Sequence, residues 1–165
     1  MKTIFTVFKD ISKAKEAIDR LNQSGFDKYQ MNSIVQESTA KSHFDINRQE
    51  IKVEDSESLG GRKVQGFEKL FAGQQSLDTV DAGRILAAGQ GGTILGKAAT
   101  SAPIRKVDNL KKALIDFGIP EDTAQKYQEG VAKGKLLFWI RSEDTDSPKI
   151  TNIVKDYQGE DLVTI

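Results

Sequence analysis

Two stretches of the chain are apolar on both sets of alternating positions, and these predict the central strands of a sheet. In Thr3 to Phe8, Ile4 and Phe8 share one parity, and Phe5 and Val7 share the other. In Lys135 to Ser142, Leu136, Phe138 and Ile140 oppose Leu137 and Trp139. A sheet wet on one side shows apolar–polar alternation instead. Both faces of this sheet are therefore expected to be covered.

Each of these strands is followed by a helical stripe, a glycine and a shorter strand. Ile11, Ala14, Ala17, Ile18 and Leu21 recur at helical spacing behind Asp10 or Ser12 as the cap, and Gly25 stops the run before Phe26. Met31 to Glu37 is the partner strand. Near the other end, Ser147-Pro148 opens a helix with Ile150, Ile153, Val154 and Tyr157 on one face, Gly159 stops it, and Leu162 to Ile165 closes the unit. This duplicated plan predicts an α+β, ferredoxin-like βαβ–βαβ sandwich with a four-stranded antiparallel sheet. Residues 3–37 and 135–165 form its halves within one domain spanning 1–165, and 38–134 is a long insertion.

The insertion carries weaker signals. Phe44 and Ile46, then Ile51 and Val53, alternate with polar residues and suit a small hairpin. Val64, Phe67, Leu70 and Phe71 fit a short helix. Ile85 to Gly96 is rich in glycine and alanine. Val107, Leu110, Leu114 and Phe117 mark a helix face ended by Gly118, and Ala124, Tyr127 and Val131 mark another between Pro120 and Gly134. The helices of the two halves leave one sheet face open. Three coverings compete for it: the inserted helices, a second copy of the chain, or a ligand.

Composition narrows the chemistry. Lysine plus arginine equals aspartate plus glutamate at 24 each, so no basic face is predicted and nucleic acid is not an expected partner. With no cysteine and one histidine, the chain offers no thiolate nucleophile and a poor metal-ligand set, and no cofactor is expected. No apolar run is long enough for a transmembrane helix, and the first residues lack a secretory pattern. A cytoplasmic protein is expected.

Few residues suggest a site. Gly91 to Lys97 fits the first seven places of G-x-x-x-x-G-K, but Ala98 stands where serine or threonine would hold magnesium. Ala88, Gly92, Gly96 and Thr100 repeat every four residues, a spacing for close helix packing that Gln90 and Lys97 interrupt. His43 lies among polar residues and reads as a surface histidine. The carboxylates Glu121, Asp122, Glu143, Asp144 and Asp146 sit near element ends, where helix-start chemistry accounts for them. Tyr127 and Trp139 are the ligand-binding or interface candidates, set against a plain core role.

The stretch Gly118-Ile119-Pro120-Glu121-Asp122, with Ala124, Tyr127, Glu129-Gly130-Val131 and Gly134-Lys135 before an apolar strand, resembles the C-terminal signature of bacterial general stress proteins. These include heat-induced and low-temperature-induced proteins of unassigned activity. Phe8, Ala14, Ala17, Ile18, Leu21 and Gly25-Phe26 are similar to their N-terminal half, and Gly83 to Ala99 matches a glycine- and alanine-rich middle. Residues 38–82 depart from the pattern. The resemblance implies a stress-response association and brings no catalytic residues. The expected function is a non-enzymatic binding or interaction module. The alternative is a small-molecule-binding regulatory domain, with ligand at the open sheet face or between the subunits of a homo-oligomer.

Overall fold

The computed structural model describes residues 1–27, 30–43, 75–89, 106–107 and 109–165. Within them the element order is β1 (Lys2–Phe8), α1 (Ile11–Gln23), β2 (Met31–Gln36), α2 (Glu37–His43), β3 (Gln75–Thr79), β4 (Gly83–Ala88), β5 (Lys106–Val107), α3 (Leu110–Phe117), α4 (Glu121–Ala132), β6 (Leu136–Ser142), a short 3-10 turn at Asp144–Asp146, α5 (Ser147–Asp156) and β7 (Glu160–Thr164). The chain is α+β, with a mostly antiparallel sheet and helices on both faces.

The sheet has seven strands, in the order β5-β3-β4-β2-β6-β1-β7, rather than the four expected. The hairpin β3–β4 from the insertion pairs with β2, and β5 adds a short parallel strand beyond β3. The four-residue register of β4 with β2 runs from Ser33↔Ala88 to Gln36↔Ile85. Strand β2 is therefore interior, not an edge. The small-residue stretch expected from Ile85 onward is in its first part a strand. Leu86 and Ala88 face one core and Ile85 and Ala87 the other, which ends any helical reading of Ala88. Val107 likewise lies in β5, and α3 starts only after its cap Asn109.

The parity of the two central strands sorts the layers as their sequence implied. Ile4, Phe8, Leu136, Phe138 and Ile140 pack with α1, α2 and α5. Phe5, Val7, Leu137 and Trp139 pack with α3 and α4 through Leu110, Ala113, Leu114, Ala124, Tyr127 and Val131. Of the three coverings for the second face, the inserted helices provide it. Strand pairs β1–β6, β1–β7 and β2–β6 are antiparallel, so β1 and β6 lie side by side between β2 and β7.

Caps delimit the helices. Asp10, not Ser12, caps α1 by accepting from Ser12 N and Lys13 N. Gly118 ends α3 at φ +116°, a backbone region that glycine enters without steric cost. At the end of α5 the left-handed residue is Gln158, with φ 66°, and not the expected Gly159. Gly159 is required for a different reason: a Cβ there would lie 2.4 Å from Val154 Cγ1 and 2.7 Å from Thr6 Oγ1. The hairpin expected from Phe44 to Val53 and the helix from Val64 to Phe71 lie outside the described residues.

Candidate functional site

The two residues singled out in the sequence meet through a third. Phe5 stacks on Trp139, with ring centroids 5.4 Å apart and planes at 18°, and on Tyr127 at 6.3 Å and 22°. Phe117 meets the edge of Phe5 at 5.4 Å and 68°. Cross-strand register explains the arrangement. Phe5 on β1 lies directly opposite Trp139 on β6, and Trp139 lies directly opposite Asn32 on β2. Tyr127 and Phe117 descend onto this row from α4 and α3. Each such ring pair contributes about 0.5–1.5 kcal/mol beyond its buried area.

Tyr127 is fully buried, and its hydroxyl donates to the backbone carbonyl of Asp161 in β7. Burial, and then the Asp161 carboxylate, hold this hydroxyl well above the usual tyrosine range. It is an anchor between α4 and the last strand. A proton donor for chemistry near neutral pH would need the opposite shift.

The same row contains two polar atoms without partners. Asn32 and Trp139 are each 1% exposed, and neither Asn32 Oδ1 nor Trp139 Nε1 makes a hydrogen bond. Leaving a buried polar group unpaired costs about 1–3 kcal/mol. By contrast, the hydroxyls of Thr6 and Ser33, on the opposite parity, are satisfied by Glu160 O at 2.9 Å and Leu137 O at 3.2 Å. Ser142 Oγ is the third unpartnered buried side-chain atom among the described residues, and alternation puts it with the α1/α5 layer.

Asn32 stands where β4 leaves the sheet. Ala88 is the last β4 residue paired with β2, opposite Ser33. Gly89 follows at φ +72°, and a Cβ there would come 2.2 Å from Met31 O and 3.1 Å from Asn32 Oδ1. Only glycine lets the chain pass so close.

The β3–β4 turn locks this layer from the side. The Asp81 carboxylate accepts from Leu110 N at 2.8 Å and Lys111 N at 3.0 Å, capping α3 from a distant loop. Gln128 Nε2 donates to Asp81 O, and Gln36 Nε2 donates to Ala82 O and to Ala132 O. On the surface nearby, Arg84 pairs with Asp78 at 3.1 Å and Glu37 at 3.6 Å, an exposed network of small energetic weight.

The other sequence candidates do not join this site. His43 is the last residue of α2. Glu121 and Asp122 lie in the first turn of α4, and Asp144 and Asp146 lie in the 3-10 turn. Gly91 to Ala98 lies outside the described residues. Among the described residues, no group of three or more histidines or carboxylates is placed to hold a metal ion, and no helix is long and apolar enough to cross a membrane. Sequence reasoning missed Phe5 and Asn32 as members of the row. The signal available was a polar residue inside a predicted strand, and the parity that aligns it with Trp139 appears only once strands are paired. No family model, curated protein or solved structure matches the chain.

Proposed function

We propose that the chain is a non-enzymatic binding module of the general stress protein type, built on a ferredoxin-like core and acting in the cytoplasm. The order β2-β6-β1-β7, with α1 and α5 on one face, supports the ferredoxin-like part. The stress-protein part rests on the resemblance around Gly118 to Lys135.

The observation that carries the binding reading is the unpartnered pair Asn32 Oδ1 and Trp139 Nε1 in the layer shared with α3 and α4. Buried polar groups are normally satisfied, and an exception in a well-packed layer marks a place where a molecule can supply the missing partners. Because α3 and α4 cover this face, a ligand sits between sheet and helices, and a second copy of the chain is not needed to bury it.

A thermal-shift screen with metabolites and nucleotides tests the reading. A ligand at a hundred times its dissociation constant adds about 2.7 kcal/mol of stability, which moves the midpoint by several degrees. No shift across a broad panel counts against binding. Sedimentation at several concentrations separates the modes: a stable dimer would move the proposal from small-molecule binding toward self-association.

A further inference from the structure

We infer that the Asn32–Trp139 pair recognises a small neutral molecule with a hydrogen-bond donor beside an acceptor, the chemistry of a primary amide or a lactam. The inference rests on the binding-module reading and names the ligand class for that same site.

The complement follows from the two atoms. An amide oxygen only accepts, and an indole N–H only donates. Asn32 Oδ1 and Trp139 Nε1 belong to directly opposed residues on β2 and β6, and both lack partners. One molecule that donates to the first and accepts from the second satisfies both at once. A primary amide or a lactam presents an N–H cis to its C=O on one rigid plane, so a single group fills both roles; an open-chain secondary amide, whose N–H points away from its C=O, does not.

The surroundings set the charge and shape. Phe5, Ile34 and Leu137 are among the apolar residues of this face, and among the described residues no fully buried side chain is a Lys, Arg, Asp or Glu. A charged ligand would be buried there without a counter-ion, which is far costlier than burying a neutral amide whose hydrogen bonds are made. Phe5 stacks nearly parallel to Trp139, so the row already favours planar groups. Both polar atoms are closed off from solvent, so the covering layer must part for entry. That requirement favours small ligands.

The chain has one tryptophan, so its nitrogen–proton correlation spectrum contains one indole signal. The 15N-labelled full chain is titrated with acetamide and 2-pyrrolidone, and separately with acetate and guanidinium. The expected result is a saturable displacement of the indole signal by the neutral amides and none by the ions. Asn32→Leu should weaken that response about tenfold, the equivalent of one lost hydrogen bond. Ser142→Ala, which removes the unpartnered hydroxyl of the opposite layer, should leave it unchanged. An indole signal unmoved by every amide, moved alike by the ions, or moved equally in Asn32→Leu overturns the inference. The wild-type titration needs no variant to fold, so it decides by itself. A metabolite that raises the thermal midpoint without moving the indole signal leaves the binding reading standing and removes this site.

Discussion

The two faces of the sheet are built by different logic. On one, α1 and α5 come from the strand–helix–strand units themselves, and their core is largely aliphatic, with one aromatic contact of 6.4 Å between Phe8 and Phe138. On the other, α3 and α4 come from the insertion, and Phe5 gathers Trp139, Tyr127 and Phe117 into a ring layer. Polar residues fare differently too. Thr6 and Ser33, with short stems, reach a neighbouring strand's carbonyl, whereas the longer Asn32 amide and the rigid Trp139 indole do not. The lesson is one of arrangement: among the described residues the α1/α5 layer leaves a single buried hydroxyl, Ser142 Oγ, unpaired, whereas the other layer sets an unmet acceptor and an unmet donor on directly opposed residues. That asymmetry is why the binding proposal sits where it does.

If both layers belong to one cooperative core, large truncations on either side of β6 should cost alike. Phe138→Ala and Trp139→Ala should each destabilise by about 3–5 kcal/mol in urea unfolding. A cost under about 1 kcal/mol for Trp139→Ala would show that the inserted helices are only loosely attached, and would break the comparison. Glycine substitutions probe the close approaches of each face. Gly89→Ala, at φ +72° and against Met31 O, should cost about 2–4 kcal/mol, and Gly159→Ala, against Val154 and Thr6, about 1–3 kcal/mol.

Smaller effects sharpen the picture. Asp81→Ala removes the carboxylate that caps α3 from the β3–β4 turn, with an expected loss of about 1–2 kcal/mol. Hydrogen exchange in that variant should rise first at Leu110 and Lys111; protection unchanged there would deny the link between hairpin and helix.

Tyr127→Phe should cost about 1 kcal/mol at neutral pH, through the lost bond to Asp161 O. It also carries a pH signature. The folded hydroxyl holds its proton above the usual tyrosine range, while the unfolded chain releases it near the ordinary value of roughly 10. Its contribution is therefore complete below that value and lost as pH rises from there toward the folded value. The alkaline fall in stability should be shallower in Tyr127→Phe, and an identical slope would contradict the burial.

The smallest effect sets the two polar environments against each other. Thr6→Val should cost about 1 kcal/mol by losing a made bond, whereas Asn32→Leu should be neutral or slightly stabilising because it deletes an unmet acceptor. A large loss in Asn32→Leu would reveal a partner for the amide and close the gap between the faces.

Much of this fold was legible in the chain. Doubly apolar parity in Thr3–Phe8 and Leu136–Ile140 announced interior strands, and Asp10, Gly25 and Gly118 marked helix ends in their expected places. These signals are local, since caps and alternation act through neighbouring residues. The β3–β4 hairpin was not read because its strands are short and β4, Gly-Arg-Ile-Leu-Ala-Ala, has weak strand preference. Its strand identity comes from pairing with β2, a contact more than forty residues away in sequence. The aromatic candidates Tyr127 and Trp139 were visible as residues, but their meeting on Phe5 depends on β1–β6 register and on where α4 lands.

The chain alone thus determined which residues line each side of the central strands, because side-chain alternation is a property of the extended backbone. Only the tertiary structure decided that α3 and α4 cover the second side, that the sheet runs to seven strands, and that Asn32 and Trp139 lie opposed without partners. Those outcomes depend on pairings between distant segments, where strand register and helix docking compete across the whole core and no local pattern carries the answer.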